Sequence, residues 1–280
     1  MTTLGRTEVA PARDPRGAPP RRGVTHARVL AAEWTKLVSV PANLWLALGV
    51  VGAAAGTAYG LGLFVRPQDG RSGAWVVTSG MVLAQIGFLV LGALVGTSDH
   101  TTGTARTTYA AVPRRLPVLV GQVVVTTVAA AVTAAVALGA SYLATAGPRA
   151  GDAPDLDLSV PGTTRALLGF VLLATAVTLL GLALGVLLRR PADAIVTGFV
   201  LVVLADHLLS VRPGRVTDTL RALLPGAGNR LMQDDTAVAA FDAATQGPQL
   251  GAWGGGAVVG AWVVVVLAAA AYRLVRHDVR

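Results

Sequence analysis

The sequence of 280 residues contains no cysteine, and only 5% of its residues are aromatic and 14% are charged. Without cysteine the chain has no disulfides, thiolate zinc sites, iron–sulfur clusters or cysteine nucleophiles. Ordinary soluble domains carry roughly 25% charged residues, whereas 53% of this chain is hydrophobic. This composition excludes a disordered chain and a conventional soluble enzyme, and it predicts that lipid surrounds most of the protein.

Several sequence motifs of catalysis are also missing. The chain has no GxxxxGK[ST] phosphate-binding loop, no HExxH, no GxSxG and no GxGxxG after a strand. Its four histidines lie in separate segments, which disfavours a shared metal site. We therefore expect no catalytic residues, no metal and no bound cofactor in this chain, and no ATP hydrolysis by the common P-loop route.

The sequence has instead six long apolar stretches, of which only the fifth contains a charged residue. A membrane helix needs about 20 apolar residues to cross roughly 30 Å of hydrocarbon. The pattern predicts an all-α polytopic membrane protein with six transmembrane helices. The expected spans are residues 44–65, 74–96, 117–145, 166–188, 194–211 and 251–272.

The ends of the chain and its basic residues predict an organisation and an orientation. Residues 1–23, rich in Arg, Pro and Gly, are expected to be a disordered cytoplasmic tail, and residues 24–280 one six-helix transmembrane domain. A cytoplasmic N-terminus leaves 15 of the 23 basic residues on the inner side, as the positive-inside rule favours. With six spans, both termini of this multi-pass cell-membrane protein are expected to be cytoplasmic.

A helical pattern precedes the first span. One face of the segment 27–38 is apolar and the other polar, which predicts an amphipathic helix in the membrane interface, separated from the span by Pro41. The apolar face consists of Ala27, Leu30, Trp34, Leu37 and Val38.

The long link between spans five and six also contains helical patterns. An apolar stripe that ends before Pro225, followed by a second pattern over residues 236–246, predicts two short extracellular helices packed on the outer ends of the spans. A cap partly embedded in the membrane and an independent surface hairpin both remain open. The stripe consists of Val216, Leu220, Leu223 and Leu224.

Polar and small residues inside the spans raise further expectations. Asp206 and His207 form a candidate intramembrane polar site, since a carboxylate at the bilayer centre costs roughly 2.5 to 3.5 kcal/mol. A structural contact near the outer cap and a substrate or proton site both remain open. Gln85, Thr126, Thr127 and Thr133 are expected to form hydrogen bonds between packed helices. Glycines four residues apart predict close helix packing in a bundle that is able to dimerise: Gly52, Gly56 and Gly60, Gly92 and Gly96, Gly181 and Gly185, Gly256 and Gly260.

Two segments resemble a known family. The sequence AEWTKLVSVPANLW, residues 32–45, resembles the segment before the first span in transmembrane subunits of ATP-binding-cassette exporters of the ABC-2 type. The sequence TSDHTTGTARTTYAAVPRRLPVLVGQ, residues 97–122, resembles the connection between spans two and three in the same family, although Asp99 stands where the family usually has Glu. Six spans with a long external link before the sixth are also similar.

The resemblance implies a transport function without a nucleotide site in this chain. Such a chain is a permease subunit that forms the translocation path of an exporter together with a second permease copy or paralogue in the membrane lipid. A separate ATP-binding subunit uses the ATP, and nucleic acid is not a partner. By position, the ATPase-coupling residues are Glu33, Trp34 and Lys36 in a first contact, and Asp99, Gly103, Thr104, Arg114 and Arg115 in a second.

Two other functions remain open from the residues alone. A polytopic membrane enzyme or a secondary transporter would use Asp206 and His207 near the outer leaflet. Neither the substrate nor the choice between a homodimer and a heterodimer follows from the sequence.

Overall fold

The computed structural model of the protein describes residues 25–101 and 116–276, with the side chains of residues 99–101 excepted. Within these ranges the chain forms helices and no strands, and six helical stretches are long and apolar enough to cross a membrane. The predicted class, an all-α membrane protein with six spans, is confirmed. The expected tail of residues 1–23 lies outside the described part. The six spans are Pro41–Gly62, Gly73–Ser98, Leu116–Ala150, Thr163–Leu188, Pro191–Ser210 and Gly251–Arg276.

The first two helices meet at a proline. Helix α1 (His26–Ser39) is followed by extended backbone at Val40, and α2 (Pro41–Gly62) begins directly afterwards. Proline suits the first position of a helix because that position has no intrahelical partner for an N–H, and the residue before a proline is biased away from helix. The helix break expected at Pro41 is present, and the first span starts three residues before the predicted Leu44.

The second span is not the single helix that the sequence predicts. It consists of α3 (Gly73–Thr78) and α4 (Met81–Thr101), which are separated at Ser79 and Gly80. A Cβ atom at Gly80 would overlap the backbone of Ala54 in α2. The break therefore lies where the backbones of spans one and two are in close contact, and apolar composition alone does not reveal this contact.

The remaining elements follow in chain order. Short 3₁₀ helices cover Pro67–Asp69 and Pro225–Met232, and a π-helix covers Val200–Leu204 within the fifth span. The α-helices are α5 (Leu116–Ala144), α6 (Ala146–Ala150), α7 (Thr163–Leu188), α8 (Pro191–Phe199), α9 (Ala205–Ser210), α10 (Arg215–Leu223), α11 (Asp235–Ala244) and α12 (Gly251–Arg276).

Helices α4 and α7 form the centre of the bundle. Within an apolar stretch of 18 residues in each span, the buried share is 72% in the second span and 61% in the fourth, but only 17% in the first and the fifth. A Cβ atom at Gly92 would overlap the carbonyl oxygen of Thr178, and one at Gly181 would overlap that of Leu89. The glycines predicted to allow close packing in these two spans therefore pack against each other's helix.

The two ends of the bundle differ in what covers them. The end that carries α1, the last turn of α4 and the start of α5 is called the elbow end. The opposite end, called the cap end, is covered by the link of residues 211–250. Trp262 of α12 donates its indole N–H to the carbonyl of Leu223 at 2.8 Å, and the Arg165 guanidinium donates to the carbonyl of Gln233 at 2.8 Å. These bonds attach the cap to spans four and six.

The cap helices are present, but the apolar stripe on the first of them does not pack on the spans. In α10, Val216, Leu220 and Leu223 are exposed by 72%, 47% and 60%. Asp218 and Ala222 are buried instead. The cap is attached to the spans as expected, through Arg221 and the carbonyl of Leu223, but the apolar stripe of α10 faces outward rather than inward. An outward apolar stripe is typical of a helix that contacts lipid, which favours the partly embedded cap.

Candidate functional site

At the elbow end, α1 packs on α5 through one face. Val29 and Glu33 are buried there with 8% and 6% exposure. A Cβ atom at Gly121 of α5 would lie 2.9 Å from Val29 Cγ1 and 3.4 Å from Glu33 Cγ, so the absence of a side chain at this position lets the two helices touch. The contact packs α1 directly against the third span.

The packed face of α1 contains a charge pair. Lys36 Nζ donates to Glu33 Oε1 at 2.8 Å, and the Glu33 side chain is 7% exposed. A buried carboxylate is strongly unfavourable unless it is paired, so Lys36 supports the burial of Glu33. Trp34 lies on another face, where it and Val38 are exposed by 47% and 55%. The three residues of the expected first contact are therefore split between the bundle and the outer surface of α1.

The expected second contact begins where α4 ends. Asp99 lies in the last turn of that helix, which continues to Thr101, and the chain is described again from Leu116 at the start of α5. Gly103, Thr104, Arg114 and Arg115 lie outside the described residues. Both ends of this connection are at the elbow end.

A cavity of about 470 Å³, called the elbow cavity, lies between the α1–α2 junction, α4 and α5. This volume is within the range of ligand pockets, roughly 300 to 1,000 Å³. Its apolar wall is formed by Leu37, Val40, Leu94, Val95, Val125 and Pro191. Its polar groups include Glu33, Lys36, Asn43, Thr97, Ser98 and Thr126.

The hydroxyl group of Thr126 is buried in this region without a hydrogen bond. The residue is 1% exposed, and among the described residues no atom accepts from or donates to its Oγ1. Its neighbour Thr127 donates to the carbonyl of Val123 in the same helix at 2.7 Å. Gln85 donates to Val82 of its own helix at 3.4 Å. For these three residues, the expected bonds between helices are not formed.

At the cap end, Asp206 is held by an arginine. Arg221 of α10 donates from Nε to Asp206 Oδ1 at 3.1 Å and from Nη2 to Oδ2 at 3.4 Å, and both side chains are 21% exposed. His207 is exposed, and its Nδ1 lies 3.0 Å from the carbonyl oxygen of Val203 in the preceding turn. The structure thus places Asp206 in a contact with the cap and does not bring His207 into it.

A second arginine lies beside this pair around a smaller cavity of about 190 Å³. Arg230 is 6% exposed, and its Cζ lies 4.6 Å from the ring centroid of Phe241. Its Nη2 lies 3.8 Å from Asp242 Oδ1, which is too long for a hydrogen bond. Burial lowers the pKa of the Arg230 guanidinium below its ordinary value, and the charge of Asp242 partly opposes this shift. Helical periodicity does not predict this cluster, because Arg230 comes from one element of the link and Phe241 and Asp242 come from another.

The π-helix of the fifth span ends directly before Asp206. Residues 200–204 have the wider π-helical turn, and Ala205 begins α9. Such turns are frequent at functional sites because they displace the following side chains relative to an ideal helix. Within the described ranges no three His, Asp or Glu residues are grouped so as to hold a metal ion.

Comparisons of the sequence with known proteins identify no family for this chain. The sequence matches no protein-family model and no curated protein.

Proposed function

We propose that the chain is the transmembrane permease subunit of an ATP-driven exporter of the ABC-2 type. In this role it forms the translocation path with a second permease copy or paralogue, and a separate ATP-binding subunit supplies the energy. The elbow end then faces the cytoplasm and the cap end faces outward. The resemblance in residues 32–45 and 97–122 and the absence of a P-loop from the sequence both support the proposal.

The observation that carries the proposal is the packing of α1 on α5 at Gly121. A permease without its own ATP site must receive force from a partner through elements at the membrane surface. Because Val29 and Glu33 are buried against α5, a push on α1 is transmitted to the third span rather than lost in a loose helix. A switch of this kind requires two bundle arrangements that the partner biases.

A second permease has a suitable surface on the first span. The glycines at positions 52, 56 and 60 have no atom within 4 Å of a Cβ built on them. This edge of α2 is therefore open to the backbone of another helix, in contrast to the glycines of spans two and four.

The geometry gives less support to an enzyme or secondary transporter based on Asp206 and His207. Asp206 is engaged by Arg221, and His207 interacts only with its own helix among the described residues. A proton or substrate site would need these groups to converge on a shared ligand position.

The proposal is tested with two matched leucine substitutions in α5. Gly121→Leu would displace α1 because its Cβ alone would lie 2.9 Å from Val29, whereas nothing lies within 4 Å of Gly139. Each variant is co-expressed with the ATPase subunit with which the wild-type chain co-purifies. We expect Gly121→Leu to abolish permease-stimulated ATP hydrolysis and Gly139→Leu to retain it. Failure to co-purify with any ATPase, or full stimulation by Gly121→Leu, would refute the proposal.

A further inference from the structure

The first part of the cap enters the bundle instead of lying on its surface. A Cβ atom at Gly228, in the 3₁₀ helix Pro225–Met232, would lie 2.8 Å from Leu173 Cδ1 and 3.1 Å from Val259 Cγ1. Leu173 comes ten residues after the first residue of α7, and Val259 comes eight residues after that of α12. At 1.5 Å per residue, these positions lie about 15 and 12 Å from the cap ends of the two helices. Because the hydrocarbon of a bilayer is roughly 30 Å thick, the 3₁₀ helix lies inside the membrane.

Helix α10 is the segment that leads to this depth. The fifth span ends at Ser210, and α10 then folds back beside it, so that Arg221 in the last turn of α10 binds Asp206. The carbonyl of Leu223 accepts the indole N–H of Trp262, which lies eleven residues into α12, or about 16 Å from its start. The helix therefore descends along the fifth span and makes the link re-entrant.

The second cap helix, α11, takes a different course. Asp235 at its start donates its backbone N–H to the carbonyl of Pro161, which precedes α7, at 3.3 Å. Near its other end, the carboxylate of Asp242 accepts from the N–H of Gly251, the first residue of α12, at 3.0 Å. Helix α11 therefore lies across the ends of spans four and six, whereas α10 lies beside the fifth span.

The outward face of α10 has the composition of a phospholipid contact. The apolar side chains of Val216, Leu220 and Leu223 are exposed on it, at a depth where hydrocarbon surrounds the bundle. Arg212 and Arg215 come before this stripe, at its shallow end. Both are exposed, and their side chains form no ion pair with the described residues. Acyl chains below an anionic phosphate match an apolar stripe below two arginines.

A second copy of the chain is a poor occupant of this face. Two copies with the same orientation in a membrane are related by a two-fold axis along the membrane normal, so residues at equal depth would meet. Arg212 and Arg215 would then approach their own counterparts, and like charges repel. The only acidic residue in the segment 211–224 is Asp218, which is 7% exposed and accepts from the backbone N–H of Gln246 at 2.9 Å. No exposed acid of this segment therefore offsets the repulsion.

We propose that α10 is a re-entrant lipid-binding helix that takes an anionic phospholipid from the leaflet at the cap end. The acyl chains pack on Val216, Leu220 and Leu223, and the guanidinium groups of Arg212 and Arg215 donate to the anionic headgroup. Two positive charges favour a headgroup with a net negative charge over a zwitterionic one. This binding requires no ATPase and does not rest on the proposed transport function.

The first test measures contact with acyl chains at a single residue. The chain has no native cysteine, so Leu220→Cys in the stripe and Ala240→Cys at an exposed position of α11 each carry one bimane label. Each full-length variant is reconstituted without an ATPase in phosphatidylcholine with a doxyl nitroxide on its acyl chain, which quenches bimane on contact. We expect strong quenching at position 220 and little at position 240. Equal quenching, or a position 220 shielded by a second copy of the chain, would overturn the proposal.

The second test measures the choice of headgroup. Labelled Leu220→Cys is placed in equimolar phosphatidylglycerol and phosphatidylcholine, with the nitroxide on only one of the two lipids. Arg212→Gln with Arg215→Gln removes the proposed contacts. Arg66→Gln with Arg149→Gln is the control, because these guanidinium groups already donate to backbone carbonyls at 3.0 and 3.1 Å.

Before substitution, we expect position 220 to prefer phosphatidylglycerol about three- to tenfold. Arg212→Gln with Arg215→Gln should bring the two lipids to near parity, and the control pair should keep the preference. Equal quenching by the two lipids before substitution, or a preference that survives the loss of Arg212 and Arg215, would overturn the proposal.

Discussion

The Arg221 guanidinium holds the Asp206 carboxylate through two donated bonds of 3.1 and 3.4 Å. Asp206 belongs to the fifth span and Arg221 to the first helix of the cap, so this pair joins the cap to the span just after its π-helical turn. We therefore call the pair a structural tie, meaning an ion pair that holds the cap on the fifth span.

Asp206→Asn is expected to destabilise the protein by about 1 to 3 kcal/mol, since it leaves the Arg221 charge partly buried without a counter-charge. The exposed pair of Asp152 and Arg66 is the control, because its atoms are 3.9 Å apart and Asp152 is 78% exposed. Asp152→Asn should change stability by less than about 0.5 kcal/mol. Unfolding monitored in detergent compares the two variants. Equal midpoints would show that the Asp206 pair is not a structural tie.

The central helix pair should not tolerate a single added methyl group. Gly92→Ala places a Cβ onto the carbonyl oxygen of Thr178, which is backbone and cannot rotate away. Overpacking of this kind costs about 1 to 3 kcal/mol or more. Gly139→Ala adds the same group where nothing lies within 4 Å, so its stability should be unchanged or slightly higher. The thermal midpoints of the two variants measure this difference, and similar losses would contradict the packing described for α4 and α7.

The open glycine edge of α2 predicts a dimer contact. Gly56→Leu should weaken association of two permease chains in detergent or nanodiscs without unfolding the monomer, because a bulky side chain prevents close backbone approach. Gly139→Leu, on another surface position without neighbours within 4 Å, should leave association intact. Single-molecule photobleaching counts the chains in each particle. A dimer fraction that is identical in both variants would exclude this edge as the interface.

Asp234 gives the cap a defined pH dependence. Its carboxylate accepts from the backbone N–H of Ala237 at 2.8 Å and from Thr236 Oγ1 at 2.5 Å, and it also hydrogen bonds to Ser72. Burial raises the pKa of the Asp234 carboxyl, but these hydrogen bonds together outweigh burial and hold its pKa below the ordinary value of 3.8.

A lowered pKa in the folded state means that Asp234 contributes stability above the unfolded pKa, near 3.8. This contribution is lost as the pH falls through the lower folded pKa. Asp234→Ser keeps a helix-capping oxygen but removes the titration. We expect the wild-type free energy of unfolding to fall more steeply than that of Asp234→Ser below about pH 4. Parallel pH profiles from urea unfolding would contradict this assignment.

The spans were predictable because the bilayer imposes one simple requirement on sequence. About 20 consecutive apolar residues are needed to cross the hydrocarbon, and each of the six predicted stretches overlaps an observed span. The π-helix at 200–204 was not predictable, because it occurs in uninterrupted apolar sequence. Hydropathy also did not predict the break at Ser79 and Gly80, because these residues lie within a long stretch without charge. Local backbone changes of this kind follow from neighbouring helices rather than from hydropathy.

The spacing of the glycines does not predict which of them contact another helix. Gly52 and Gly56 have the same spacing as Gly92 and Gly96, yet only the second pair contacts another helix. The apolar stripe of α10 is a similar case, since Val216 and Leu220 face outward. Periodicity identifies a face of a helix, but it does not identify what that face contacts.

Composition and periodicity alone determined that this protein is a helical membrane protein, where its spans lie, and that a helix precedes the first of them. These properties depend on residues near one another in the chain and on the lipid hydrocarbon, in which charged and unpaired polar groups are unfavourable. Only the tertiary structure decided that Arg221 meets Asp206, that Gly121 admits α1, and that Thr126 is left unsatisfied beside a cavity. Each of these contacts or gaps joins distant segments, whose distance and orientation are set by packing of the whole bundle.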